Sequence, residues 1–209
     1  MTSDGGSYSS WKGWAQEDFG VEGRGDRPYY QRELRELMGA DTRKVLEVGF
    51  GNGSVLAFGR ARGWVMTATE LQPELVATAI RLGYDAHDST AVDDLPDESY
   101  DGIVALDVFE HIPPAASIDF LTVLGRKLRV GGHIVLRFRG QLASQCFPER
   151  RSDARQRHRN GQDDLLRALS GAEYRLVPGL RTSGFLHLRG PRPPRTDRRE
   201  LPQTVGGDQ

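Results

Sequence analysis

The chain has 209 residues, enough for one α/β domain with a substantial core. Its 28 lysines and arginines are balanced by 29 aspartates and glutamates, a net charge of -1, so no basic field argues for nucleic acid. No apolar run approaches the roughly 20 residues that span a bilayer, the start of the chain lacks a basic and apolar leader, and the single cysteine, Cys146, excludes an internal disulfide, so a cytoplasmic protein is expected.

In chain order, residues 1–40 are expected to form an N-terminal arm and helix. The arm is rich in Gly and Ser but carries Trp11, Trp14, Phe19, Tyr29 and Tyr30, too many aromatics for a purely solvated tail, so part of it should dock as a clasp or as a lid. Arg32 to Leu37 reads as a helix. Lys44 to Val48 is the first strand, and Ser54 to Arg62 is its helix, closed by Gly63. Trp64 to Thr69 is the second strand. Pro73 then opens a helix with a stripe of Leu75, Val76, Ala79, Ile80 and Leu82, ended by Gly83. Tyr84 to His87 and Asp101 to Leu106 are the third and fourth strands. A helix from Ile118 to Leu128 and a Gly131-Gly132 turn lead to a fifth strand, His133 to Phe138. A weaker helix near Asp163 to Leu169 precedes two late strands, Glu173 to Val177 and Phe185 to Leu188. Residues 190–209 hold prolines and charge with almost nothing apolar to bury, so a disordered tail is expected. Alternation of strands and helices predicts a Rossmann-like α/β fold, a mostly parallel sheet with helices on both faces, over residues 41–189.

The first strand carries the most specific motif. It ends K-V-L-E-V-G-F-G-N-G, with Gly49, Gly51 and Gly53 at alternate positions and Glu47 two residues before the first of them. Glycines there permit a sharp turn and close approach of a ligand. The spacing differs from the G-x-G-x-x-G of dinucleotide enzymes and lacks the G-K-[ST] of a P-loop, which separates it from an NAD dehydrogenase. With the later segment Y-D-G-I-V-A-L-D-V-F-E-H, the chain resembles the class I S-adenosylmethionine (SAM) dependent methyltransferases. That resemblance implies seven strands with the last antiparallel to the rest.

It also implies a cofactor site at the strand ends. Glu47 and the three glycines would face the methionine end of SAM, whose ammonium and sulfonium suit an acid. Glu70, 21 positions after Gly49 in the segment T-E-L with Leu71, is placed to accept from the ribose hydroxyls. Asp88, with Ser89 beside it, resembles the family acid that accepts from the adenine amino group; an ordinary cap is the alternative. Leu106 and Asp107 would lie beside the cofactor.

Methyl transfer from a sulfonium is an in-line displacement, so the protein mainly aligns the acceptor and takes a proton if the acceptor is a hydroxyl. His111 follows the fourth strand and is the first candidate base, since an imidazole with an ordinary pKa of about 6.5 accepts a proton at neutral pH. Asp107, Glu110 and His111 also resemble a cluster that some quinone-biosynthesis O-methyltransferases use for a divalent cation, but adjacency does not establish inward geometry, and no metal is expected. His158 is the second catalytic candidate. Here the chain departs from the family pattern: Arg137-Phe138-Arg139-Gly140 replaces a P-N pair, and no D-x-T precedes His158. Arginines from Arg137 to Arg159 suit an anionic group on the acceptor or a solvated loop. The reading is a SAM-dependent methyltransferase acting on a hydroxyl of a small molecule or saccharide. The alternatives are small-molecule N-methylation and a SAM-binding partner protein without turnover.

Overall fold

The computed structural model describes residues 18–21, 25–38, 41–139, 173–178 and 183–189. The expected late helix at 163–169, His158, Cys146, most of the N-terminal arm and the tail lie outside them. Helix α1 runs Asp26–Glu33 and α2 Arg35–Met38, earlier than the sequence suggests. Pro28 falls in the first turn of α1, where no intrahelical N–H is needed, so it opens the helix rather than excluding it. Leu34 between them and Leu37 within α2 are fully buried, each contributing about 1.5–3 kcal/mol to docking.

Strand β1 spans Lys44–Val48, α3 Ser54–Arg60, β2 Val65–Glu70, α4 Pro73–Arg81 and β3 Asp85–Asp88. Both α3 and α4 end on a left-handed glycine. Gly63 N–H donates to the Arg60 carbonyl and Trp64 N–H to that of Gly59; Gly83 and Tyr84 repeat the pattern on Ile80 and Ala79. These paired bonds satisfy the last carbonyls of each helix and turn the chain into the next strand. Strand β4 spans Tyr100–Leu106, α5 Ser117–Lys127 and β5 Leu128–Arg139. Strand β5 begins five residues before the expected His133, so Gly131 and Gly132 lie within it. The register shifts between Tyr100 and Gly102, and a Cβ at Gly132 would come within 2.9 Å of the Asp101 carbonyl oxygen. Glycine thus lets the strand bulge against β4 and continue.

The hydrogen-bonded order is β3-β2-β1-β4-β5-β7-β6, with β6 at Glu173–Pro178 and β7 at Ser183–Arg189. All pairings from β3 through β5 are parallel, whereas β5–β7 and β6–β7 are antiparallel. The expectation of a seven-stranded, mostly parallel sheet is corrected accordingly. The parallel sheet is five strands, and β6 with β7 forms an antiparallel pair added at its edge. The cause is connection length: residues 179–182 are too few for the crossover that parallel neighbours require, so β7 must reverse and takes the place beside β5.

Core side chains fill both faces. Leu46, Ile103, Leu121, Leu124, Ile134 and Leu136 pack on one, and Leu34, Val45, Leu56, Phe58, Met66 and Val135 on the other. Buried Lys127 pins the loop before β4, its Nζ donating to the Asp93 and Leu95 carbonyls at 2.7 and 2.5 Å and to Asp97 Oδ1 at 2.6 Å. The order reverses between β1 and β4, and ligands of open parallel sheets bind at the carboxyl edge of such a switch point.

Candidate functional site

At that edge the turn after β1 needs glycine for its backbone: Gly49, Gly51 and Gly53 have φ of 70°, 53° and 74°. The protein's own side chains occupy the space beside two of them. A Cβ on Gly49 would lie 2.4 Å from Val108 Cγ2, and one on Gly53 would lie 2.4 Å from Phe19 Cε1. Phe19 also packs edge-on against Phe50, and Gly20 N–H donates to the Asn52 carbonyl at 2.7 Å. Residues 18–21 therefore dock on the glycine turn, as the aromatic content of the arm suggested for part of it.

Two acids flank the turn. Glu70 Oε2 accepts from Gly51 N–H at 2.9 Å, and its Oε1 from Leu71 and Gln72 N–H at 2.7 and 3.2 Å. The carboxylate locks the glycine turn to the end of β2, a role that depends on main-chain donors and that residue types do not reveal. Glu47 is 4% exposed, and its Oε2 is buried without a hydrogen-bond partner. Burial, and then the charge of Glu70, raise its pKa well above the ordinary carboxylate value. Leu71 projects beside Glu70 and is 68% exposed. At the end of β3, exposed Asp88 accepts from Thr90 N–H and Oγ1 at 2.8 and 2.7 Å, which hold its pKa below the usual range. It caps the short turn Ser89–Asp93, with Ser89 half-buried.

The end of β4 forms the other half. Leu106 pairs with Arg137 across β4 and β5, and Asp107 follows in the left-handed region at φ 58°. Arg137 grips both Asp107 oxygens, through Nε to Oδ1 at 2.7 Å and Nη2 to Oδ2, and its Nη1 donates to the Tyr29 hydroxyl. The next residue of α1, Tyr30, exchanges a 2.6 Å hydrogen bond with Ser54 Oγ at the start of α3; burial pushes its phenol up to about 12. Successive tyrosines thus tie α1 to both sides of the switch point. The sequence offered Tyr29 and Tyr30 only as docking aromatics and Arg137 as an arginine for an anionic acceptor group or a solvated loop; it did not reveal their bonds to Ser54 and Asp107.

His111 ends the turn Phe109–His111 and is exposed, while Phe109 is buried against Phe120. Glu110 is half-buried, its Oε2 without a hydrogen-bond partner; burial, with a further contribution from Asp107, raises its pKa. Among the described residues no group of three or more His, Cys, Asp or Glu is arranged to hold a metal ion, and no helix is long and apolar enough to cross a membrane.

A strand-order switch with a left-handed glycine turn after β1 and acids near the ends of β1, β2 and β3 accords with a class I SAM-dependent methyltransferase. The chain belongs to the family of the methyltransferase domain, whose model matches residues 24–179. No curated protein matches the sequence. Among solved structures, a SAM dependent methyltransferase from Archaeoglobus fulgidus is similar with a TM-score of 0.59 and 15% identity, over 88% of this chain and 100% of the other. The PH0226 protein from Pyrococcus horikoshii OT3 gives 0.60 and 15%, over 89% and 100%. A SAM dependent methyltransferase from Aquifex aeolicus gives 0.55 and 17%, over 86% and 95%. At these identities the likeness is one of fold. The chain's own residues fit the cofactor in one respect: the orphaned Glu47 oxygen is a buried acceptor suited to a cationic group.

Proposed function

We propose that this SAM-dependent methyltransferase acts on a hydroxyl of a small molecule or saccharide. The observation that carries this reading is the charge balance after β4. Asp107 is paired with the Arg137 fork, and burial raises the pKa of Glu110, both of which weaken the negative charge offered to an acceptor. A cationic amine calls for such a charge, whereas a neutral hydroxyl does not.

The cofactor supplies an activated methyl on a sulfonium. In this reading Glu47, Gly49, Gly51 and Gly53 hold its methionine portion, Glu70 and Leu71 the ribose, Asp88 and Ser89 the adenine, and Leu106 and Asp107 border the transfer point. Glu70 keeps acceptor capacity for this, because an ionised carboxylate offers about four lone-pair sites and three are used by backbone donors. His111 takes the hydroxyl proton; in support, it ends the turn Phe109–His111 that follows β4 and its side chain is exposed.

One observation favours N-methylation as a second reading: the unpartnered Glu110 Oε2 suits an acceptor N–H. Incubation of the full chain with SAM and a panel of phenols, sugars and amines, read by mass spectrometry, separates the two. Methylated hydroxyl products are expected. Transfer confined to amines would overturn the proposal.

A further inference from the structure

Glu47 and Glu70 lie on adjacent parallel strands and face the same side, since Glu47 pairs with Ala68 and Glu70 stands two residues further on. Their hydrogen bonding is unequal. Glu70 receives three backbone N–H groups, whereas Glu47 Oε2 has no hydrogen-bond partner. Glu47 is almost fully buried, and the titratable groups that feel its charge are Glu70 on β2, Tyr30 on α1 and Tyr84 ahead of β3. These are one acid and two phenols. Its Oε2 has no hydrogen-bond partner and no ion pair joins it to a cation among the described residues, so a bare carboxylate in that position is costly.

We propose that Glu47 stands in the free protein as a neutral acid and that binding of SAM expels its proton to solvent, so that cofactor capture is proton-linked. The Glu47 O–H bond breaks, the proton passes to buffer, and the carboxylate left behind faces the cations the cofactor brings. Nothing is oxidised or reduced. The inference rests on the cofactor placement above and deepens it: the buried acid has its counter-charge delivered by the ligand rather than by the protein. Its sign follows from linkage. Where the free protein holds a proton that the complex lacks, affinity rises with pH and levels off once free Glu47 is itself ionised.

The test is calorimetric titration of the full chain with SAM in buffers of different ionisation enthalpy, at about pH 6.3, where the cofactor's α-amino group is already charged. Release of close to one proton per SAM is expected, with the dissociation constant falling by up to about tenfold per pH unit above that point. Glu47→Gln preserves a neutral side chain of the same shape. It should bind with no proton release and a flat pH profile, and about tenfold or more weakly than wild type at pH 8. Tight wild-type binding with no proton released overturns the proton linkage and leaves the cofactor placement standing. Equal release in wild type and Glu47→Gln assigns the proton to another group and also overturns it. Failure of SAM to bind at any pH overturns both. The wild-type measurement does not depend on the variant folding.

Discussion

Arg137 holds Asp107 by main chain and side chain together: its carbonyl accepts the Asp107 N–H at 2.9 Å while its guanidinium engages both carboxylate oxygens. The fork keeps a residue in left-handed conformation at the end of β4, a position that Asp tolerates better than most side chains. Arg137→Met should cost about 1–2 kcal/mol in urea unfolding, at the low end for a charged hydrogen-bonded pair because both partners retain some exposure. Tyr29→Phe should cost about 0.5–1.5 kcal/mol, and the double variant less than the sum. Strict additivity would show that Tyr29 is not coupled to the pair.

Gly49→Ala meets two obstacles, a positive φ and a 2.4 Å approach to Val108 Cγ2. Val108→Ala removes only the second. The single Gly49→Ala variant should therefore be destabilised by more than about 2 kcal/mol, and adding Val108→Ala should recover part of it, leaving the backbone penalty of about 1–2 kcal/mol. Thermal unfolding of the three variants reads the difference. Full recovery in the double variant would mean the turn carries no conformational constraint at Gly49.

Asp101 joins three strands at their amino edge, its Oδ2 accepting from Arg43 and Lys44 N–H at 2.9 and 2.8 Å and its Oδ1 from Arg129 at 2.6 Å. Burial pushes its pKa up, but these donors outweigh burial and the net direction is down. A depressed carboxyl contributes stability that is present above its unfolded pKa and is lost as pH falls through the folded one. Asp101→Asn should thus be less stable than wild type at pH 7 by about 1–2 kcal/mol, with the gap closing below about pH 4. A gap of constant size down to pH 2 would remove ionisation from the account.

His111→Ala should leave SAM affinity nearly unchanged while lowering methyl transfer about a hundredfold, the usual contribution of a positioned base. Dialysis against a chelator should change neither variant nor wild type. Wild-type turnover in the variant would move the search to His158, and loss of activity on chelation would restore the metal reading of Asp107, Glu110 and His111.

The parts of this molecule legible in sequence are those whose chemistry is local. Three glycines at alternate positions announced a turn of positive φ, and Gly63 and Gly83 announced helix ends, because glycine's lack of Cβ is a property of the residue alone. The extension of β5 back to Leu128 was hidden by the same logic misapplied: Gly131 and Gly132 read as a turn, whereas their neighbour Asp101 makes them a bulge. Glu70 was legible as an acid at a strand end but not as the lock on Gly51, since its partners are main-chain groups brought close only by folding. Arg137 looked like a free cation for want of knowledge that Asp107, 30 residues earlier, lies opposite.

The bond from Tyr29 to Arg137 spans 108 residues of chain. Helix α1 is synthesised before the sheet, yet this anchor does not exist until β5 has been made and paired with β4. Closing so long a loop carries an entropic cost that shorter-range contacts do not. A nascent chain halted short of Arg137 has the glycine turn and Tyr30's partner Ser54 but lacks the partner of the Tyr29 hydroxyl.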